Sequence, residues 1–147
     1  MDMEELKLKQ ELQEKRLVQQ HKQKPAEPSH EVRLAALAIT FNARLRSSDM
    51  PLHMQEHALR YTRSLVGDPS PSSSKPRHNP THLARALKKE FDSVYGPAWH
   101  CVIGRSFGSF VTHTAGGFVY FSIDSLSVLL FKTEVHLVKQ PPPTLSK

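Results

Sequence analysis

Short β-rich segments follow one another through the last third of the chain. They combine aromatic and β-branched residues, which favour strands, in AWHCVIG, SFGSFVTH, GGFVYFSI and SLSVLLFK. The turn-like breaks TAGG and DS separate the later segments, and short breaks of this kind join antiparallel strands. A further β-rich segment, ITFNARLRS, lies upstream. The sequence therefore predicts an antiparallel sheet.

Two amphipathic helices are predicted between the upstream segment and the later ones. The first repeats its apolar residues along one helical face, at Met54, Ala58, Tyr61 and Leu65. The second does so at Leu83, Leu87, Phe91 and Val94. Asp49 is the expected N-cap of the first helix, Asn79 or Thr81 caps the second, and Gly96-Pro97 ends it. The fold class is therefore α+β, with two helices packed on one face of an antiparallel β-sheet.

Three segments lie outside this pattern. Residues 1–43 form an N-terminal extension, in which residues 3–24 contain only strong helix formers and predict a charged, solvated helix followed by a linker. Residues 66–80 form a Ser/Pro-rich loop, and residues 133–147 a Pro-rich C-terminal tail.

Charge and cysteine content narrow the class of protein. Residues 1–33 hold seven Lys/Arg and seven Asp/Glu, so the net charge of +6 lies in the rest of the chain, where the basic residues are scattered. The single cysteine, Cys101, excludes an internal disulfide. The acidic N-terminus resembles no secretory signal, and no apolar run reaches membrane-spanning length. We expect a soluble, intracellular protein that binds neither membranes nor nucleic acid.

Gly104 to Gly108 match the G-x-S-x-G pattern of serine hydrolases, with Ser106 as the nucleophile. Asp124 and His136 follow in the order of a hydrolase triad. An elbow, however, joins a strand to a helix, whereas the residues after Ser106 are typical of a strand. A serine hydrolase is thus the alternative reading. His53 and His57 have the i, i+4 spacing of a zinc chelate but no evident third ligand, so we expect no metal and no cofactor.

Alternation within the strands points to peptide binding. In SFGSFVTH, Phe107, Ser109, Val111 and His113 share one face and Gly108, Phe110 and Thr112 the other. In FVYFSI, Phe118, Tyr120 and Ser122 share a face. Both strands carry large apolar groups on both faces, and two helices can cover only one face of the sheet, so the other face needs a partner. An exposed sheet edge is also suited to the addition of an extended peptide as a further strand. Ordinary core strands remain the alternative.

Residues 88–132 closely resemble the eight-kilodalton dynein light chain family. The segments KKEFD, WHC, GR-FGS-VTH, F-YF and LLFK, in which dashes stand for positions outside the pattern, are each typical of it, in this order and spacing. Ser106 and Phe110 replace the family's usual asparagine and tyrosine. ARLRSSDMPLHMQEHAL resembles the family's first strand and the start of its first helix. The resemblance assigns residues 44–132 to a dynein light chain-like domain. The details DMP and YGPAWHC are similar to the plant branch.

The resemblance implies a homodimer with strand exchange between subunits. In this family the strand matching residues 107–112 joins the partner's sheet, and each of two grooves binds an extended client segment as an added strand, often with a Thr-Gln-Thr-like core. The dynein intermediate chain is the founding client. The resemblance therefore implies a cytoplasmic, cytoskeleton-associated, non-catalytic hub.

Site residues follow from the resemblance by position. The groove strand is Ser106, Phe107, Gly108, Ser109, Phe110, Val111, Thr112 and His113, with Phe118, Tyr120, Ser122, Leu129 and Thr81 also lining the groove. The implied dimer interface comprises His100, Phe107, Phe110 and Val111, and protonation of His100 is implied to disfavour the dimer. Pro80-Thr81 replaces the family's Glu-Lys pair at the second helix, which puts the usual client preference in question.

Overall fold

An antiparallel sheet of four strands, in the order β1-β3-β4-β2, forms the centre of the chain. The computed structural model describes residues 2–21, 26–67, 79–136 and 138. Most of the predicted Ser/Pro-rich loop and Pro-rich tail therefore lies outside the described residues. The elements are α1 (Met3–His21), α2 (His30–Thr40), β1 (Ala43–Ser48), α3 (Leu52–Val66), α4 (Pro80–Tyr95), β2 (Trp99–Gly104), β3 (Phe118–Ile123) and β4 (Leu126–Lys132).

Helices α3 and α4 form where the apolar periodicity predicts them. Asn79 caps α4, since its side chain accepts a hydrogen bond from the Thr81 amide at 2.9 Å, and Gly96 ends the helix with a positive φ of 78°. The expected cap of α3 is wrong. Pro51 occupies the N-cap position without a side-chain bond, and Asp49 instead accepts a hydrogen bond from the Gly116 amide at 2.9 Å.

Helix α2 differs from the prediction of a linker and of a strand that begins at Ile39. Ser29 caps it through a bond from the Val32 amide, and the strand begins only at Ala43. Leu34 and Ala38 are buried in the same core as the rest of the domain. The helix packs on α3 and β1, so part of the N-terminal extension belongs to the folded domain.

The core lies between the helices and one face of the sheet. Alternate residues of β3 are buried there, and Leu59 of α3 and Phe91 of α4 are fully buried against them. Phe91 also packs edge-on against Trp99, with ring centroids 4.9 Å apart. The side chains of β3 and β4 that belong to this core are Val119, Phe121, Ile123, Val128 and Leu130. Leu129 is also buried, but on the other face of the sheet.

Arg63 joins three elements at one end of this core. Its guanidinium donates to the Phe41 carbonyl after α2 at 2.9 Å and to the Asp124 carboxylate in the β3–β4 turn at 2.9 Å. It also bonds the Gly67 carbonyl after α3. A two-point bond between guanidinium and carboxylate fixes geometry as well as adding energy, so this contact aligns α2 and α3 with the sheet.

Among the described residues, no helix is both long enough and apolar enough to cross a membrane.

Candidate functional site

The sheet has one face that the helices leave open, which we call the outer face. On β3, Val119, Phe121 and Ile123 point into the core and are buried, while the residues between them are only half-buried. This alternation is the expected consequence of the two-residue period of a strand.

Three rows of side chains cross the outer face in register. The first joins Phe118, Phe131 and His100, and the second joins Tyr120, Leu129 and Val102. The third joins Ser122, Ser127 and Gly104. Beyond Ser122 the third row continues on β1 to the exposed Arg44, whereas the first two rows contain no Lys or Arg and are predominantly apolar. The outer face is therefore suited to protein contact rather than to a phosphate backbone.

His100 lies at the β2 end of the first row. Its ring stacks on Phe131 with centroids 5.1 Å apart, and its Nε2 lies 2.9 Å from the Thr133 hydroxyl. The imidazole is exposed in the single chain.

Residues 105–113, which we call the β2–β3 segment, do not enter the chain's own sheet, although their sequence predicts a strand. Phe107 and His113 nevertheless reach the outer face, with their rings 6.1 Å from Tyr120 and 4.7 Å from Phe118. Phe110 is fully exposed, at 105 % of its reference area. A β-rich segment with an exposed aromatic ring has its backbone available for a partner strand.

The turn after this segment is fixed tightly. The Thr114 and Lys132 backbones exchange bonds with Gly117 and with each other, at 2.8 to 3.1 Å. A Cβ at Gly117 would lie 2.6 Å from the Thr114 hydroxyl and 2.9 Å from the Lys132 side chain, so only glycine fits there. The far end of the β2–β3 segment is thereby anchored to β4.

Strand β2 is one edge of the sheet and α4 packs beside it. The Asp92 carboxylate of α4 accepts a bond from the Trp99 amide at the start of β2, at 2.8 Å. Burial alone raises the pKa of Asp92, but hydrogen bonds from Lys88 and from the Trp99 backbone outweigh it, and the pKa is lowered. The open β2 edge thus lies next to a firmly attached helix.

The structure brings some of the predicted site residues together. Phe107, His113, Phe118, Tyr120 and Leu129 lie on or against the outer face. Ser122 occupies the third row. Thr81 lies apart from them in the first turn of α4. The rest occupy the β2–β3 segment, where Val111 is half-buried and Ser106, Gly108, Ser109, Phe110 and Thr112 are exposed.

Sequence reasoning missed Val102 and Phe131, which complete the two apolar rows. Both could have been found from strand alternation, since Val102 follows His100 by two residues and Phe131 follows Leu129 by two.

The arrangement of the alternative sites does not support catalysis or metal binding. The Asp124 carboxylate bonds Arg63 and Asn42, whereas His136 pairs with Glu134 at 3.3 Å. Ser106 precedes a segment without helix, unlike a nucleophile elbow.

The side chains of the possible zinc pair and of the cysteine are otherwise engaged. His57 bonds Tyr95 and Glu90 through its two ring nitrogens, at 2.8 and 3.2 Å. Burial raises the pKa of the Cys101 thiol to about 12, which disfavours the reactive thiolate.

Comparison with known proteins identifies the family of this chain. Residues 42–133 match the family described as dynein light chain type 1. The chain is 39% identical over 90 residues to "Dynein light chain, cytoplasmic" of Emericella nidulans, covering 61% of this chain and 87% of that protein. It is also 39% identical over 89 residues to "Dynein light chain 1, cytoplasmic" of Candida glabrata, covering 60% of this chain and 94% of that protein.

Among solved structures, the chain is similar to the dynein light chain-like domain of a Fasciola hepatica calcium binding protein, with 21% identity and a TM-score of 0.46, covering 63% of this chain and 93% of that chain. The family match spans the whole sheet, helices α3 and α4 and the β2–β3 segment. The chain therefore belongs to the dynein light chain family.

Proposed function

We propose that the protein is a non-catalytic homodimeric hub. The β2–β3 segment of each subunit pairs with the edge of the partner's sheet. Each of the two resulting grooves binds an extended client peptide by strand addition. The observation that carries the proposal is the state of this segment in the single chain. It has the sequence of a strand, it stays outside its own sheet, and Phe110 is fully exposed. Pairing with a second copy would satisfy its backbone and cover that ring.

The open edge at β2 is the acceptor that this exchange requires. The β2–β3 segment of a second copy added there would extend the sheet beyond β2. Its far edge would then run alongside α4, leaving a groove between a strand edge and a helix. A client lying there as an added antiparallel strand gains affinity from main-chain bonds and specificity from alternate side-chain pockets.

The outer face supplies the contact between subunits. The chain itself buries Leu129 at the centre of the second row, but Phe131 is only half-buried and Val102 remains 43 % exposed. Mutual burial of these rows in a two-fold pair would provide a continuous apolar interface. Two grooves on one dimer hold two clients side by side, which raises their effective concentration.

We place this hub in the cytoplasm, as the names of both fungal relatives indicate for those proteins. Clients with a Thr-Gln-Thr-like core, including a dynein intermediate chain, are the first candidates by family membership.

Sedimentation and calorimetry test the proposal together. We expect the full chain to sediment as a dimer at about pH 7 and to shift toward monomer at about pH 5, because protonated His100 would be costly to bury between subunits. Calorimetry should give one Thr-Gln-Thr peptide bound per subunit. A chain that is monomeric at both pH values and takes up no peptide is incompatible with the proposal.

Substitutions in the β2–β3 segment locate the groove. Phe107→Ala should weaken peptide binding because its ring contacts Tyr120, and Ser109→Lys should weaken it by placing a bulky charge on the strand that meets the client. Ser106→Ala is the matched control and should have the smallest effect. Measured by calorimetry, a larger loss for Ser106→Ala than for the other two would contradict this placement.

A further inference from the structure

We infer that the chain's own proline run, Pro141 to Pro143, docks into a cavity beside Trp99, at the end of the sheet where β2 begins and β4 ends. Docking there requires neither the proposed dimer nor its client groove. Three observations support it: the side chains that line the cavity, a buried donor that lacks an acceptor, and the place where the tail leaves the sheet.

The cavity has a volume of about 740 Å³ and opens where two helix ends meet the sheet. Its lining includes Met54 in the first turn of α3, Tyr95 at the end of α4 and Trp99 at the start of β2. The rings of Tyr95 and Trp99 lie with their centroids 6.3 Å apart. Neighbouring aromatic rings are the kind of surface on which extended proline-rich segments pack.

The indole N–H of Trp99 lacks an acceptor. The residue is 1 % exposed, and its Nε1 has no hydrogen-bond partner among the residues that the structure describes. A buried tryptophan N–H usually has a partner, because leaving such a donor unpaired is unfavourable. Lys132, whose ammonium lies 6.0 Å from the centroid of the indole ring, offers only further donors. An acceptor from outside the described part of the chain would satisfy this N–H.

A proline run meets both requirements of the cavity. The carbonyl groups of a polyproline helix have no partner within the helix, so they are available as acceptors. The pyrrolidine ring fixes φ in advance, so little conformational freedom is lost when the run docks. One carbonyl would accept the Trp99 N–H while the proline rings pack against Tyr95.

The tail leaves the sheet at the cavity itself. The Thr133 amide donates to the Ala98 carbonyl at 3.0 Å, next to Trp99, and residues 133–136 then line the cavity. Pro141 follows His136 by five residues, which span at most about 17 Å. The run lies outside the described residues, but a connection this short keeps it at high effective concentration beside the cavity.

Nuclear magnetic resonance can observe the cavity directly, since Trp99 is the single tryptophan of the chain. The full-length protein is compared with a variant that combines Pro141→Ala, Pro142→Ala and Pro143→Ala. In this variant the indole N–H signal should shift and should exchange with deuterated water about tenfold faster, because the donor loses its acceptor. The backbone signals of the sheet should stay in place, which shows that the variant is folded.

A peptide added in trans then identifies what occupies the cavity. The peptide VKQPPPTLSK, at millimolar concentration, should return the indole signal of the triple variant to its parent position, whereas a version with alanines for the three prolines should not. Ala115→Phe places a large ring on an exposed residue of the cavity lining and should abolish this response. The matched control is Ala35→Phe, at an exposed position of α2 away from the cavity, which should respond like the triple variant alone.

Four results would overturn the inference. The first is an indole signal that is the same, in position and exchange rate, in the parent protein and the triple variant. The second is a triple variant that does not respond to the peptide, and the third is an equal response to the proline and alanine peptides. The fourth is a parent protein that binds an unrelated proline-rich peptide although the tail substitutions have no effect, since the cavity would then receive a segment of another protein.

Discussion

Single hydrogen bonds at the ends of elements hold the open edge of this sheet in place. The carboxylate of Asp92 links the last turns of α4 to the start of β2. It accepts hydrogen bonds from the Trp99 amide and from the Lys88 ammonium. The Lys132 ammonium reaches the Tyr95 carbonyl at 3.2 Å from the neighbouring strand. The position of the helix beside the edge strand therefore depends on a few polar contacts as well as on the core.

Replacement of Asp92 should measure this link. Asp92→Ala leaves the Trp99 amide without its acceptor, and we expect a loss of about 1–3 kcal/mol in the free energy of unfolding, measured by urea denaturation at about pH 7. Asp92→Asn is the control, since its side-chain oxygen can still accept that bond, and it should lose less. Equal losses in both variants would show that the Trp99 bond contributes little.

Low pH should remove the stabilising effect of the Asp92 carboxylate. Because the pKa of Asp92 is lowered in the folded protein, its stabilising effect is present above the ordinary pKa of about 3.9 and is lost as the pH falls through the lower folded value. The difference in unfolding free energy between the protein and Asp92→Asn should therefore narrow at about pH 3. A difference that stays constant from about pH 7 to about pH 3 would contradict this assignment.

At the scale of elements, the sequence predicts those helices whose apolar residues recur at helical spacing, and it misses a helix whose last residues resemble the start of the following strand. Helices α3 and α4 were predictable because their apolar residues recur along one face. Helix α2 was missed because the β-branched Ile39 and Thr40 precede a true strand and suggested that it began early. The signal for a helix was present in the Ser29 cap and in Leu34, Ala38 and Phe41, which recur at helical spacing.

The β2–β3 segment shows the opposite difficulty. Its residues have strong strand preference, yet a strand forms only where another strand is available to pair with it. In the single chain this segment pairs with no strand of the sheet, so composition alone could not place it. Most of the predicted site residues lie on the outer face or on this segment, but Val102 and Phe131 became evident only from the cross-strand register.

Leu34→Ala should test whether α2 is part of the domain. Its side chain is 6 % exposed within the core, so we expect a loss of about 2–4 kcal/mol in unfolding free energy by chemical denaturation. Leu12→Ala on α1 removes the same atoms from an exposed position and should change the stability very little. If both variants are as stable as the parent chain, α2 does not contribute to the cooperative core.

At the scale of the whole molecule, the core that stabilises the subunit lies on a different face of the sheet from the surface assigned to the proposed dimer. The helix-covered face holds nearly all of the fully buried large side chains, whereas the outer face and the open β2 edge are available to a second copy. A substitution on the outer face can therefore act on pairing without unfolding the subunit. The proposed dimer can be tested in this way.

Val102→Asp should produce a folded monomer. The side chain is already exposed in the single chain, so the charge costs the subunit little, but burial of an unpaired carboxylate between two copies would be strongly unfavourable. Sedimentation should show loss of the dimer while circular dichroism stays unchanged. Val32→Asp, on an exposed position of α2, introduces the same charge away from the interface and should remain dimeric. A dimeric Val102→Asp protein would exclude the outer face as the interface.

The exposed Phe110 has a consequence for the life of a newly made subunit. If the proposed dimer forms, each copy displays an aromatic ring and unpaired strand-forming backbone until it meets a second copy, and these are the features that chaperones and proteases recognise in incomplete proteins. Pairing would hide both at once. We therefore expect unpaired copies to be degraded faster than paired ones, so that the cell would keep this protein almost entirely in its assembled form, whatever the rate of synthesis.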